Sequence, residues 1–139
     1  MPFMKVYKTK SKQLSGTSYS DVHKKAETMY KKICSKTKRR PYIRSAYFKK
    51  DKIFLGIFWS HLYNKTNLKD KVRRIKLFPC AMELIQKSTF EPTSKENPNK
   101  KFEILHRFGG ITANNELFHV QIKEDKRSGE KFLISTFPY

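Results

Sequence analysis

Acid is the scarce chemistry in this chain. Twelve Asp and Glu stand against 31 Lys and Arg in 139 residues, a formal net charge of +19. Self-repulsion at that level works against a compact state unless an anionic partner neutralises it, so the composition points to a polyanion. Cysteine is nearly as scarce. Cys34 and Cys80 stand far apart among only four His, which gives neither a disulfide framework nor a zinc-finger spacing. They are expected as reduced thiols in a cytoplasmic protein. No apolar run approaches the roughly 18 residues that would span a bilayer, so no membrane partner is expected. The opening Met1-Pro2-Phe3-Met4-Lys5 lacks the apolar stretch of a secretory signal. Neither GxxxxGK[ST] nor GxGxxG occurs, which leaves no standard nucleotide cradle. No cofactor and no metal are expected.

What is present is aromatic and basic. Hydrophobic residues make up 37% and aromatics 14%, enough to argue for a packed core in one ordinary domain. The charge is uneven. Residues 1–20 carry +4 and residues 21–35 carry +2. Residues 36–76 hold fourteen Lys and Arg against Asp51 and Asp70, for +12, whereas residues 77–139 hold nine against eight acids, for +1. A solvated lysine-rich face needs no such concentration; a phosphate-binding surface does.

Periodicity divides the chain into helices followed by strands. Residues 1–17 are polar and basic, an expected flexible arm or edge strand. From Ser18, the residues Tyr19, Val22, Ala26, Met29, Tyr30 and Ile33 recur at three- and four-residue steps, the pattern of an amphipathic helix capped by Ser18 or Ser20. Pro41 forbids its continuation. Residues 42–50 read as an extended or loop entry. A helix over 52–64 follows, capped by Asp51, then one capped by Asn67 and one with Pro79 in its first turn. Residues 88–101 read as a loop. Beyond them Phe102, Ile104 and Phe108, then Phe118, Val120 and Ile122, alternate with polar residues. Gly109-Gly110 reads as a bend, Asn114-Asn115 as a turn and 126–129 as a hairpin, so that 132–137 closes an antiparallel meander. The expected fold is α+β: N-terminal helices (18–87) packed on a C-terminal three- or four-stranded antiparallel sheet (102–139), in one domain over 18–139.

The Pro-flanked helix Ala81-Met82-Glu83-Leu84-Ile85-Gln86-Lys87 precedes the strands Ile104-Leu105-His106-Arg107-Phe108, Phe118-His119-Val120-Gln121-Ile122-Lys123 and Leu133-Ile134-Ser135-Thr136. With the helical half before it, this order resembles the barnase/EndoU/colicin-D/RelE-like nucleases, especially their phage-associated branch, over residues 45–139. The resemblance implies a small, basic, metal-independent ribonuclease of toxin type acting on mRNA or tRNA. It implies an active site joining a His or Lys from a helix to Arg, Lys and Ser/Thr on the sheet. An acidic antitoxin or immunity protein is the further partner that such a toxin would have.

Metal-free cleavage of RNA by its own 2′-hydroxyl, leaving a 2′,3′-cyclic phosphate, needs a base, an acid and cations around the phosphorane. Histidine titrates near neutrality and suits the first two roles. His106, beside Arg107 and the Gly-Gly pair, is the first candidate. His61, one helical turn before Lys65, is the second. His119 shares the polar face of its strand with Gln121 and Lys123 and ranks third, and His23 reads as a surface residue. Arg107, Lys123, Ser135 and Thr136 complete the catalytic candidates. By alternation only one of the last two shares a face with Lys123, and Ser135 is preferred. Arg44, Lys49, Lys50, Lys52, Lys65, Arg73 and Arg74 are the candidate phosphate contacts. Tyr42, Tyr47, Trp59 and Tyr63 either stack on unpaired bases or belong to the core. Two other readings use the same residues: a non-catalytic RNA- or DNA-binding protein of a phage or mobile element, and an interaction module for an acidic protein.

Overall fold

The computed structural model describes residues 5–64 and 67–139, so the candidate Lys65 lies outside the described residues. In chain order the elements are β1 (Val6–Lys8), α1 (Tyr19–Ser35), β2 (Tyr42–Arg44), β3 (Lys52–Phe54), α2 (Gly56–Tyr63), α3 (Leu68–Lys76), α4 (Phe78–Lys87), β4 (Thr93–Glu96), β5 (Glu103–Ile111), β6 (Leu117–Asp125) and β7 (Lys131–Pro138). Three of the four helix starts read from sequence form. Ser18 accepts from the Asp21 amide ahead of α1, Asn67 accepts from the Asp70 amide ahead of α3, and Pro79 sits in the first turn of α4.

The sheet differs from expectation. It is mixed and seven-stranded, in the order β1-β5-β6-β7-β3-β2 with β4 also paired to β5, and the helices are interspersed among its strands. The β5–β6–β7 meander is there, but it is the centre of the sheet rather than the whole of it. β1 and β4 divide the outer edge of β5. β1 runs parallel to Gly109–Ile111, and β4 antiparallel to Ile104–Arg107 within the segment read as a loop. On the far side β3 runs parallel to the start of β7, and β2 pairs antiparallel with β3. Strands of three or four residues cannot display a period of two, so their pairing partners define them and their sequences do not.

Two local expectations change for the same reason. The helix expected from 52 begins at Gly56, because Lys52–Phe54 pair as a strand with β2 and β7, and the fully buried Leu55 turns the chain into the helix. Asp51 does not cap a helix; its carboxylate accepts from Lys131 Nζ at 2.8 Å. Gly109 and Gly110 are not a bend but lie inside β5. A Cβ on Gly110 would sit 2.5 Å from Phe118 Cζ and 2.8 Å from Leu84 Cδ1, so the absent side chain is what lets α4 and β6 close on β5.

The register sorts the strands into two faces. His106, Phe108, Val120 and Ile122 point with Leu133 and Thr136 toward the core shared with Leu84, Phe78 and Val22. Arg107 lies opposite Gln121, and Gly109 opposite His119, on the other face. An irregularity follows Gln121. Gln121 pairs with Ser135 and Ile122 with Leu133, which leaves Ile134 as the extra residue of a bulge on β7. The extra residue inverts the alternation beyond it. Ser135 and Phe137 therefore share the face of Gln121 and Lys123, and Thr136 turns into the core.

Candidate active site

Along β7, β3 reaches only Lys131 and Phe132, at the start of the strand. Farther along, α2 and α3 take the place of β3 beside β7. Between these helices and the face carrying Arg107, Gln121 and Ser135 lies an open cleft of about 740 Å³. α2 contributes Phe58, His61 and Leu62, and the turn and helix after it contribute Asn64, Asn67, Asp70 and Arg74. Arg107, Gln121, Ile134, Ser135 and Phe137 form the sheet side.

The polar groups inside are preorganised. Asp70 lies one turn before Arg74 on α3 and accepts from its Nε at 2.9 Å, while Arg74 Nη1 donates to Ser135 Oγ at 2.7 Å. A guanidinium has five N–H donors, so this clamp orients Arg74 and leaves donors for a ligand. Arg107 is exposed and donates to Gln121 Oε1 at 3.4 Å. The Arg74 and Arg107 Cζ atoms lie 5.5 and 5.4 Å from the centroid of the Phe137 ring. Two guanidinia beside one ring, Arg74 oriented by Asp70, together with the Ser135 hydroxyl, can receive a tetrahedral anion. His61, exposed in the last turn of α2, adds a titratable ring at the rim.

Known protein families, characterised proteins and solved structures yield no match to this chain. The site rests on its own geometry.

That geometry brings His61, Arg107, Ser135 and Arg74 together and leaves the other candidates elsewhere. His106 is on the core face. Its Nδ1 hydrogen-bonds Ser94 Oγ at 2.6 Å, its Nε2 hydrogen-bonds Glu124 Oε1 at 2.8 Å, and its ring meets Phe48 edge-on. Both nitrogens are thus engaged away from the cleft. Thr136 is fully buried and donates to the His119 carbonyl. Lys123 shares the cleft face but lies farther down it, 3.4 Å from a Glu103 carboxylate oxygen. Arg73 is exposed on α3, outside the cleft lining. Arg44, Lys49, Lys50 and Lys52 gather at the β2–β3 hairpin, where Arg44 Nη1 donates to the Lys50 carbonyl and Lys49 and Lys50 adopt positive φ.

His119 lies on the same face as Gln121, outside the cleft lining, with its ring tilted against those of Phe137 and Tyr139. Burial, and then the Arg107 charge, hold its pKa below the ordinary histidine value. His23 hydrogen-bonds Tyr63 through Nε2 on the α1 surface.

Sequence reasoning did not single out Gln121, Asp70, Asn64, Asn67 or Phe137 for the site. Asp70 carried a signal: an acid four residues before Arg74 on one helix face is an orienting pair. Among the described residues no group of three or more His, Cys, Asp or Glu could hold a metal ion. No helix among them is long and apolar enough to cross a membrane.

Proposed function

We propose that this chain is a metal-independent endoribonuclease whose cleft holds the scissile phosphate between Arg74 and Arg107. The observation that carries the reading is the Asp70–Arg74–Ser135 clamp, with Arg107 at the same Phe137 ring and His61 lining the same cleft. In the reaction the 2′-oxygen forms a bond to phosphorus and the bond to the 5′-oxygen breaks. His61 accepts the proton of the 2′-hydroxyl, and water in the open cleft protonates the leaving 5′-oxygen. The product is a 2′,3′-cyclic phosphate. Charge builds on the phosphoryl oxygens in the transition state, where the two guanidinia and the Ser135 hydroxyl stabilise it most. The net charge of +19 draws the polyanion in. A His on a helix joined to Arg and Ser on a sheet also agrees with the resemblance to the barnase/EndoU/colicin-D/RelE-like nucleases, and with it a toxin-type role against mRNA or tRNA.

The test is incubation of purified protein with RNA in EDTA, with the new ends identified chemically. Cyclic-phosphate ends are expected, and His61→Ala should slow cleavage by about a hundred- to ten-thousand-fold, the usual worth of a general acid–base group. His106→Ala is expected to act through stability, with any loss of rate recovered in the fraction that remains folded. Intact RNA after prolonged incubation with wild type, or full activity in His61→Ala, would overturn the assignment. Salt-sensitive binding without cleavage would favour a non-catalytic nucleic-acid-binding protein.

A further inference from the structure

We infer that the open face of the sheet beyond the cleft is a track for single-stranded RNA, on which bases stack against Tyr42, Phe54 and Phe132. The inference rests on the reading of the cleft as a phosphate site on RNA.

Tyr42 pairs with Phe54, Phe54 with Phe132 and Phe132 with Lys123, so three rings and a cation stand in register across β2, β3, β7 and β6. Neighbouring ring centroids are 6.2 and 5.8 Å apart at interplanar angles of 74° and 38°, and all three rings are half-buried. They are not the core side of these strands, where Ile43 and Ile53 are buried. Each ring also has a cation of its own. Lys52 Nζ lies 4.8 Å from the Tyr42 centroid, Arg40 Cζ 3.9 Å from that of Phe54, and Lys123 Nζ 5.3 Å from that of Phe132.

Rings that each carry a cation at the face combine planar surface with positive charge, and a single strand offers both complements, unpaired bases and phosphates. A duplex hides its base faces, and an acidic peptide would use the cations but has no planar groups for registered rings. A groove of about 340 Å³ runs beside Phe54, lined also by Arg44, Lys52 and the 128–130 turn. The acids on its rim are already paired, Asp51 with Lys131 and Glu130 with Arg40. The track joins the cleft directly, because Gln121, two residues from Lys123 on the same face of β6, lines it. From β6 to β2 it crosses three strand spacings, about 14 Å. Sheets with exposed aromatics hold two or three stacked bases in comparable space.

The probe is a 2′-O-methyl RNA dodecamer, which lacks the nucleophile and stays whole, with binding read by fluorescence anisotropy. Phe54→Leu and Tyr42→Leu keep apolar bulk and remove the π face. Each is expected to weaken dodecamer binding by roughly five- to a hundred-fold, the range of one lost base stack, and to change the affinity for an RNA duplex of equal length little. Should either variant fail to fold, Lys52→Gln serves instead. It should lower the slope of log affinity against log salt by about 0.7, one phosphate contact. Dodecamer binding as tight as wild type in the folded variants, or equal losses for single strand and duplex, overturns the track. Cleavage of a dinucleotide by wild type, too short to leave the cleft, reads the cleft alone. A dodecamer loss without dinucleotide cleavage would keep the track and remove the nuclease.

Discussion

Arg74 and Arg107 face the same ring but are held differently, so replacing each should separate catalysis from stability. Arg107 is exposed, and its single hydrogen bond to Gln121 is long at 3.4 Å. Arg107→Gln is therefore a surface change, costing less than about 0.5 kcal/mol, or about 2 °C in Tm for a domain of this size. Arg74 has more to lose. Its pair with Asp70 is partly exposed, at 20% and 30% side-chain accessibility, and is worth about 0.5 kcal/mol after screening. Its charged hydrogen bond to Ser135, at 2.7 Å, adds about 1 kcal/mol in a setting that water can reach. Arg74→Gln should thus lower Tm by about 4–8 °C. In single-turnover cleavage, each variant should lose about a hundred- to a thousand-fold in rate, as preorganised donors to a developing oxyanion do. Thermal melts and rates on the same samples give the comparison. Arg107→Gln cleaving RNA like wild type would refute the phosphate site, and a rate loss that follows Tm across the two variants would refute its separation from stability.

Three further outcomes test the frame around the cleft. Gly110→Ala drives a Cβ into Phe118 and Leu84, which are 1% exposed and have nowhere to go, so a loss of about 1–3 kcal/mol is expected, and an unchanged melt would contradict the packing. Deleting Ile134 removes the extra residue and puts Ser135 directly after Leu133, so plain alternation keeps Ser135 and Phe137 on the cleft face and Thr136 in the core. Cleavage should survive the deletion in protein that circular dichroism shows to be folded, whereas its loss there would contradict Ile134 as the residue that the pairing skips. Glu83 accepts from Tyr7 Oη, Ser11 Oγ and the Lys10 and Ser11 amides. Burial alone would raise its pKa, but these hydrogen bonds outweigh burial and hold it below the ordinary carboxyl value. The attachment of the N-terminal segment should be intact above the ordinary carboxyl range and loosen as pH falls through it. Hydrogen exchange in 5–11 that shows no acid dependence, or the same dependence in Glu83→Gln, would contradict that.

The sequence is legible where one element carries its own pattern. Val22 and Ala26 at helical spacing mark the buried side of α1, Asn67 marks the start of α3, and Phe118, Val120 and Ile122 mark the core face of β6. It is illegible where a partner decides. Lys52–Phe54 is three residues long and reads as the start of a helix until Phe132 and Tyr42 pair with it. The site suffers most from a misjudged strand end. With Gly109-Gly110 taken as a bend, His106 and Arg107 fall together at an opening. With β5 running on to Ile111, alternation sends them to opposite faces, one to Ser94 and Glu124 and the other to the cleft. The alternation of Phe108 with Arg107 already contained that split. The bulge at Ile134, by contrast, leaves no mark in a run of apolar and hydroxyl residues, and only the pairing with β6 reveals it.

The scarcity of acid acquires a structural meaning here. The most basic third of the chain, residues 36–76, contains two acids, and neither is spent on general neutralisation. Asp70 orients Arg74 against Ser135, and Asp51 takes the buried Lys131 where β7 begins. Nearby, Glu130 holds Arg40, the cation above Phe54. Each of these carboxylates fixes a cation that would otherwise be mobile or buried without a partner, and the remaining positive charge stays available to a ligand. Fixing guanidinia before the ligand arrives removes the ordering cost from the binding step. It also confines the transition-state benefit to the place where the cations already point. A chain built only to adhere to polyanions gains nothing from an Asp on the inner side of its phosphate-facing helix. Asp70 is thus the residue whose removal best separates the proposed phosphate site in the cleft from the general attraction of the basic surface.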